Sequence, residues 1–167
     1  GTYALVRKRT DNRFRFCSLN YPDQGVLELP VWELDWKREH GWANYPKGMI
    51  CTLMKKGVPV ACGMDLLYYG DIPKGLGIGS SASLEVVTGL IIRDLMEIKD
   101  LNMIDLALFA RLAENEYIGM SSGIMDPFAI AMGKKDHAIL LDTSDLSYEY
   151  APLELPHQKI IVTNSQK

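Results

Sequence analysis

Residues 73–83, PKGLGIGSSAS, place glycine at 75, 77 and 79 and then a run of small residues at the mouth of an apolar stretch with helical period. Glycine loses more backbone entropy on folding than any other residue, so this density implies a backbone that must bend freely or be approached closely. The start of a helix adds free N–H groups and a positive dipole end, and the combination suits an anion. The spacing is not that of a Walker A loop, since no lysine follows the last glycine, nor is it G-x-G-x-x-G. It fits a nest of successive N–H groups delivering Ser80 and Ser81 to a helix N-terminus, where a hydroxyl can meet a phosphate or a phosphate-bound Mg²⁺. The alternative is a plain strand-to-helix turn with Ser81 as N-cap, without a capping box because Leu84 stands three residues on.

The rest of the chain reads as an α+β pattern. GTYALVRKRTDNRFRFCSLN reads as strand, turn at Asp11 and Asn12, and strand, an opening hairpin. Met49, Ile50, Leu53 and Met54 have helical spacing, and Gly57 suits the helix end. Residues 59–73 read as a strand leading into the glycine loop. Leu84, Val87, Ile91, Leu95 and Ile98 mark one apolar face of a helix from about Ser81 to Ile98, with Gly89 tolerated inside it. A second helix spans about Asn102 to Ile118, a short third follows Ser121, residues 137–155 form a hairpin, and KIIVTNS gives a last strand. Interleaved helices and hairpins favour α+β over a doubly wound parallel sheet.

Composition narrows the function classes. The 167 residues are 47% hydrophobic and 23% charged, enough for one well-buried core, and the net charge of -3 gives no basic footprint for nucleic acid. No apolar run approaches a membrane span, so neither nucleic acid nor membrane is an expected partner. Three cysteines without metal-ligand spacing point to a reduced, cytoplasmic setting.

Phosphate chemistry needs a carboxylate for the metal and one near the acceptor hydroxyl. Glu114 and Glu116 end an apolar helix, and periodicity does not decide which faces inward. Asp126 sits in a small-residue loop before Pro127, where it reads equally as a base or as a helix cap.

DIPKGLGIGSSASLEV, AENEYIGMSSGIMDPF and WANYPKG together resemble the galactokinases, a family of the GHMP small-molecule kinase superfamily, and the likeness runs over essentially the whole chain. The resemblance implies one domain over 1–167, the N-terminal ATP-binding domain of that fold, a mixed sheet with helices packed on it. It implies ATP-dependent phosphorylation of galactose at its C1 hydroxyl, with Mg²⁺ as cofactor and ATP and galactose as ligands. The loop Gly75, Leu76, Gly77, Ile78, Gly79, Ser80, Ser81 would wrap the ATP phosphates, with Trp42 and Tyr45 near the adenine. Ser81 and Glu114 would hold Mg²⁺, Asp126 would accept the sugar hydroxyl proton, and Gly123 would lie against the sugar. A Glu-His-Thr-Asp sugar motif and a closing C-terminal domain are expected outside these residues. A kinase for another hexose or amino sugar, or a non-catalytic sugar sensor, are the alternatives. Three positions depart from the family pattern: Leu76 replaces a small residue, Gly79 a serine, and Pro127 a glutamine that would leave Asp126 freer to adopt helical ψ.

Overall fold

A computed structural model describes residues 1–73 and 77–163, and its larger sheet has four strands. The strands are β1 (Thr2–Arg9), β2 (Arg13–Ser18), β3 (Leu27–Pro30) and β4 (Gly63–Gly70), in the order β1-β4-β2-β3. β1 and β2 are therefore not a hairpin. The chain does reverse at Asn12, whose φ is 53°, but β4 lies between the two strands, antiparallel to β1 and parallel to β2. Gly63 opens β4 because β2 approaches it closely: a Cβ there would lie 2.1 Å from the Arg13 carbonyl oxygen.

Alternation along the strands separates two faces. Phe14, Phe16, Met64, Leu66 and Tyr68 point into the core, while Tyr3 and Leu5 are exposed on the other side. The core face is covered by α1 (Asn44–Lys55), α2 (Ser80–Leu95) and α3 (Met103–Leu112). α1 buries Met49, Ile50 and Leu53, leaves Met54 exposed, and ends at Gly57 with φ 83°. α3 opens with a reciprocal cap between Asn102 and Asp105, both bonds 3.0 Å.

The face of α2 that lies deepest differs from the apolar stripe expected over Leu84, Val87, Ile91 and Leu95. Those residues are partly buried, whereas Glu85, Val86, Thr88, Gly89 and Ile92 are fully covered. Gly89 lies at a tight contact between helices, where a larger residue would make the Met49 and Leu106 side-chain ends shift. A Cβ there would meet Met49 Cε at 2.4 Å and Leu106 Cδ2 at 2.8 Å, so α1, α2 and α3 converge on it. Thr88 is satisfied by the Tyr68 hydroxyl at 2.9 Å and by donating to the Leu84 carbonyl at 2.7 Å.

α3 runs into a π-helical turn (Ala113–Ile118) that ends at Gly119, φ 83°. Beyond it α4 (Met125–Met132) and the hairpin β5 (His137–Leu141) and β6 (Tyr148–Pro152) share a second cluster around Ile124 and Phe128. The expected last strand is not formed over residues 159–163, where Ile160, Ile161 and Val162 are exposed, and its remaining positions lie outside the described residues. A strand needs a neighbour to satisfy its backbone, and no described strand pairs with this segment. Among the described residues no helix is long and apolar enough to cross a membrane, and Cys17, Cys51 and Cys62 are free thiols.

Candidate functional site

Two adjoining cavities open where α2 begins, and they share Tyr45, Ser80 and Ser81. Gly75 and Leu76 lie outside the described residues. Gly77 and Gly79 take φ values of 65° and 76°, the left-handed region that non-glycine residues enter at a cost. Gly79 is the residue before the helix, and no side chain caps it. Ser81 is therefore not the N-cap: α2 begins at Ser80, and the first N–H groups of the helix are left to face the cavity.

The larger cavity, about 460 Å³, is walled by Gly77, Ile78, Gly79, Ser80, Ser81, Glu114, Gly123 and Asp126. Ser81 Oγ donates to Glu114 Oε1 at 2.6 Å, although the two residues are 33 positions apart. Glu114 is buried and Glu116 exposed, which resolves the ambiguity of the helix pattern. Glu114 continues the face of α3 on which Ala107 and Ala110 are fully buried, and carries it into the π-helical turn. Gly48 lets that turn dock on α1, since a Cβ at 48 would meet the Tyr117 ring at 2.8 Å.

Asp126 sits in the first turn of α4, not at its cap, so Pro127 does not keep it from helical conformation. Proline near the start of a helix lacks an N–H that would have no intrahelical partner in any case. Asp126 faces the glycine loop closely: a Cβ on Gly79 would lie 3.5 Å from Asp126 Cβ and 3.6 Å from its Oδ2. The serine expected at position 79 would therefore meet both a left-handed backbone and the Asp126 carboxyl. Asn115 folds the intervening loop back, its amide donating to the Ser122 carbonyl at 3.2 Å and its Oδ1 accepting from the Ser122 N–H at 2.7 Å. That clamp brings Gly123 and Asp126 to the cavity.

The second cavity, about 240 Å³, is lined by Tyr21, Trp42, Tyr45, Tyr68, Ser81 and Leu84 among others. Trp42 stacks on Tyr21 with centroids 6.2 Å apart and meets Tyr68 edge-on at 5.8 Å. Burial, and then the negative charge of Glu114, pushes the Tyr45 phenol upward.

Glu85 escaped the sequence reading. It is fully buried, neither carboxyl oxygen has a hydrogen-bond partner among the described residues, and burial followed by the charge of Glu114 pushes it up to about 10. It is protonated at neutral pH. Since its folded value lies above that of a free glutamate, its contribution to stability is complete at low pH and lost as pH rises. Against Glu85→Gln, which cannot ionise, wild-type stability should fall by about 1 kcal/mol per pH unit between roughly pH 5 and 9. Urea unfolding at several pH values checks this; a pH-independent difference would contradict it. The signal in the sequence was a lone glutamate one helical turn after Ser81, on the same side of α2.

Two oxygen donors meet here, and among the described residues no three His, Cys, Asp or Glu side chains group as a metal cage. That donor set fits Mg²⁺, a hard cation usually held by one or two protein oxygens plus substrate phosphates and water.

The family described as GHMP kinases N terminal domain matches residues 44–134, the span from the start of α1 to just past α4. The whole chain is 44% identical to a galactokinase of Fusobacterium nucleatum and 48% identical to one of Exiguobacterium sibiricum, spanning 43% of each relative's length. A crystal structure of Lactococcus lactis galactokinase complexed with galactose superposes with a TM-score of 0.89 at 37% identity, covering 99% of this chain and 45% of that one. A D-glycero-D-manno-heptose 1-phosphate kinase from Bacteriodes thetaiotaomicron shares the fold, with a TM-score of 0.72 at 16% identity over 92% of this chain and 48% of its own. With its family match over more than half its length and the glycine loop, α2 and the Glu114 turn in one arrangement, the chain belongs to the GHMP kinases.

Proposed function

We propose that this chain forms the nucleotide and metal-holding part of a galactokinase, which transfers the γ-phosphoryl group of ATP to the C1 hydroxyl of galactose, giving galactose 1-phosphate and ADP. The observation that carries the reading is the Ser81 to Glu114 contact at an uncapped helix start, with Asp126 on the wall of the same cavity. The N–H groups of Gly77 to Ser81 suit the phosphates, and the aromatic cavity of Trp42 and Tyr45 suits the adenine. Ser81 and Glu114 would hold Mg²⁺ by their side-chain oxygens. Bound there, the ion would neutralise charge on the phosphate oxygens.

The protein groups then have separate tasks. The helix start and the glycines position the phosphates, Gly123 leaves room for the sugar, and Asp126 takes the C1 hydroxyl proton as its oxygen attacks phosphorus. Phosphoryl transfer depends chiefly on such positioning and on charge neutralisation, with one carboxylate orienting the nucleophile.

ADP release by a full-length galactokinase carrying these residues, with galactose compared against another hexose and an amino sugar, tests the reading. Turnover on galactose above the others is the expected result. Turnover on another sugar alone would assign a sister kinase, and tight sugar binding without ADP release would assign a sensor. The chain of residues 1–167 by itself, which spans 43% of its relatives, is expected to release no ADP with galactose.

A further inference from the structure

We propose that Lys47 is a positioning residue for the aromatic wall of the nucleotide cavity: its buried side chain ties down the turn that carries Trp42. The proposal rests on the reading of that cavity as the base site.

Lys47 lies on the first turns of α1 and is fully buried, which is rare for a lysine. Its Nζ donates to the Asp35 carbonyl at 2.5 Å, to His40 Nδ1 at 2.6 Å and to Asn44 Oδ1 at 3.3 Å. An ammonium has three N–H donors and no acceptor, so these three bonds saturate it and require His40 Nδ1 to present its lone pair. Burial, with the like charge of Lys37, pushes the ammonium down to about 8, and the carboxylates of Asp35, Glu39 and Glu33 oppose that shift, so the group is mostly charged at neutral pH.

All three acceptors belong to one stretch of chain, residues 35–44, which has no strand or α-helix before Asn44. Its only regular element is a 3-10 turn (Arg38–Ala43) interrupted at Gly41, with φ 48° and ψ -123°. Backbone ladders therefore do not fix Trp42. Asn44 extends the same tie, its amide donating to the Lys37 carbonyl at 2.7 Å and the Gly41 carbonyl at 3.2 Å. Lys47 and Asn44 thus hold the turn from beneath, and the turn lays the Trp42 ring against Tyr21 and Tyr68 at the cavity edge. An apolar side chain of the same length would fill the space without desolvating a charge, so packing alone gives the ammonium no purpose.

In a full-length galactokinase carrying this segment, Lys47→Met is expected to raise KM for ATP by about tenfold or more, leaving kcat and KM for galactose within about twofold. Should that variant fail to fold, His40→Leu and His40→Gln decide. The first removes one acceptor and should raise KM for ATP; the second keeps an acceptor and should return it toward the wild-type value. Parallel losses in kcat and both KM values would make Lys47 a merely structural residue and overturn the proposal. Trp42→Ala separates the two levels. If it raises KM for ATP while neither Lys47→Met nor His40→Leu does, the positioning role fails and the base site stands; if it changes nothing, the base site fails and the proposal with it.

Discussion

Glu114→Gln in a full-length galactokinase carrying these residues is expected to lower kcat by about 10²-fold or more and to change galactose affinity by less than about twofold. The substitution keeps the shape of the side chain and an oxygen that can accept from Ser81 Oγ, now 2.6 Å from Glu114 Oε1. What it removes is the negative charge, which is the part a divalent cation requires. Raising Mg²⁺ should recover part of the turnover, because weakened affinity is overcome by mass action. The sugar side of the cavity, with Gly123, is untouched by the change. Steady-state ADP release and galactose titration check both halves, and equal loss of turnover and sugar binding would count against a metal role.

Local features of the chain were legible where one physical rule governs them. The end of α1 at Gly57, the start of α2 after Gly79 and the hairpin of β5 and β6 each follow from turn chemistry or from period. The insertion of β4 between β1 and β2 is different, because a reversal at Asn12 says nothing of which distant strand fills the gap. The buried face of α2 was misplaced for a related reason. Thr88 and Glu85 look like surface residues by polarity; the first is hydrogen-bonded to Tyr68, and burial makes the second keep its proton. Gly89 looks like a weakness in the helix until Met49 and Leu106 are seen against it.

The candidate site divides in the same way. Family motifs pointed to Ser81, Glu114 and Asp126 together, and all three line one cavity. The inward turn of Glu114 over Glu116 was hidden because each shares a helix face with apolar residues, Ala107 and Ala110 for one and Phe109 and Leu112 for the other, and only packing shows that the first face is the buried one. Asn115 and Lys47 were overlooked because each is read as an ordinary polar residue until its loop partners, Ser122 in one case and residues 35–44 in the other, are placed.

Asp126→Asn is expected to remove most sugar phosphorylation, a loss of about 10²- to 10⁴-fold in kcat, with ATP binding near normal. Asparagine preserves the volume beside Gly79, where an added Cβ would lie 3.5 Å from Asp126 Cβ. It also preserves an acceptor oxygen, but it cannot take a proton. The carboxyl lies in the first turn of α4. Pro127→Gln provides the contrast: the N–H it restores falls in the first turn, where no intrahelical acceptor awaits it, so turnover should be unchanged or mildly raised. Turnover and ATP affinity measured on both variants decide the matter. If Asp126→Asn kept nearly full turnover, the carboxylate would serve only to favour the helix start, and proton transfer from the sugar hydroxyl would have to be assigned to another group.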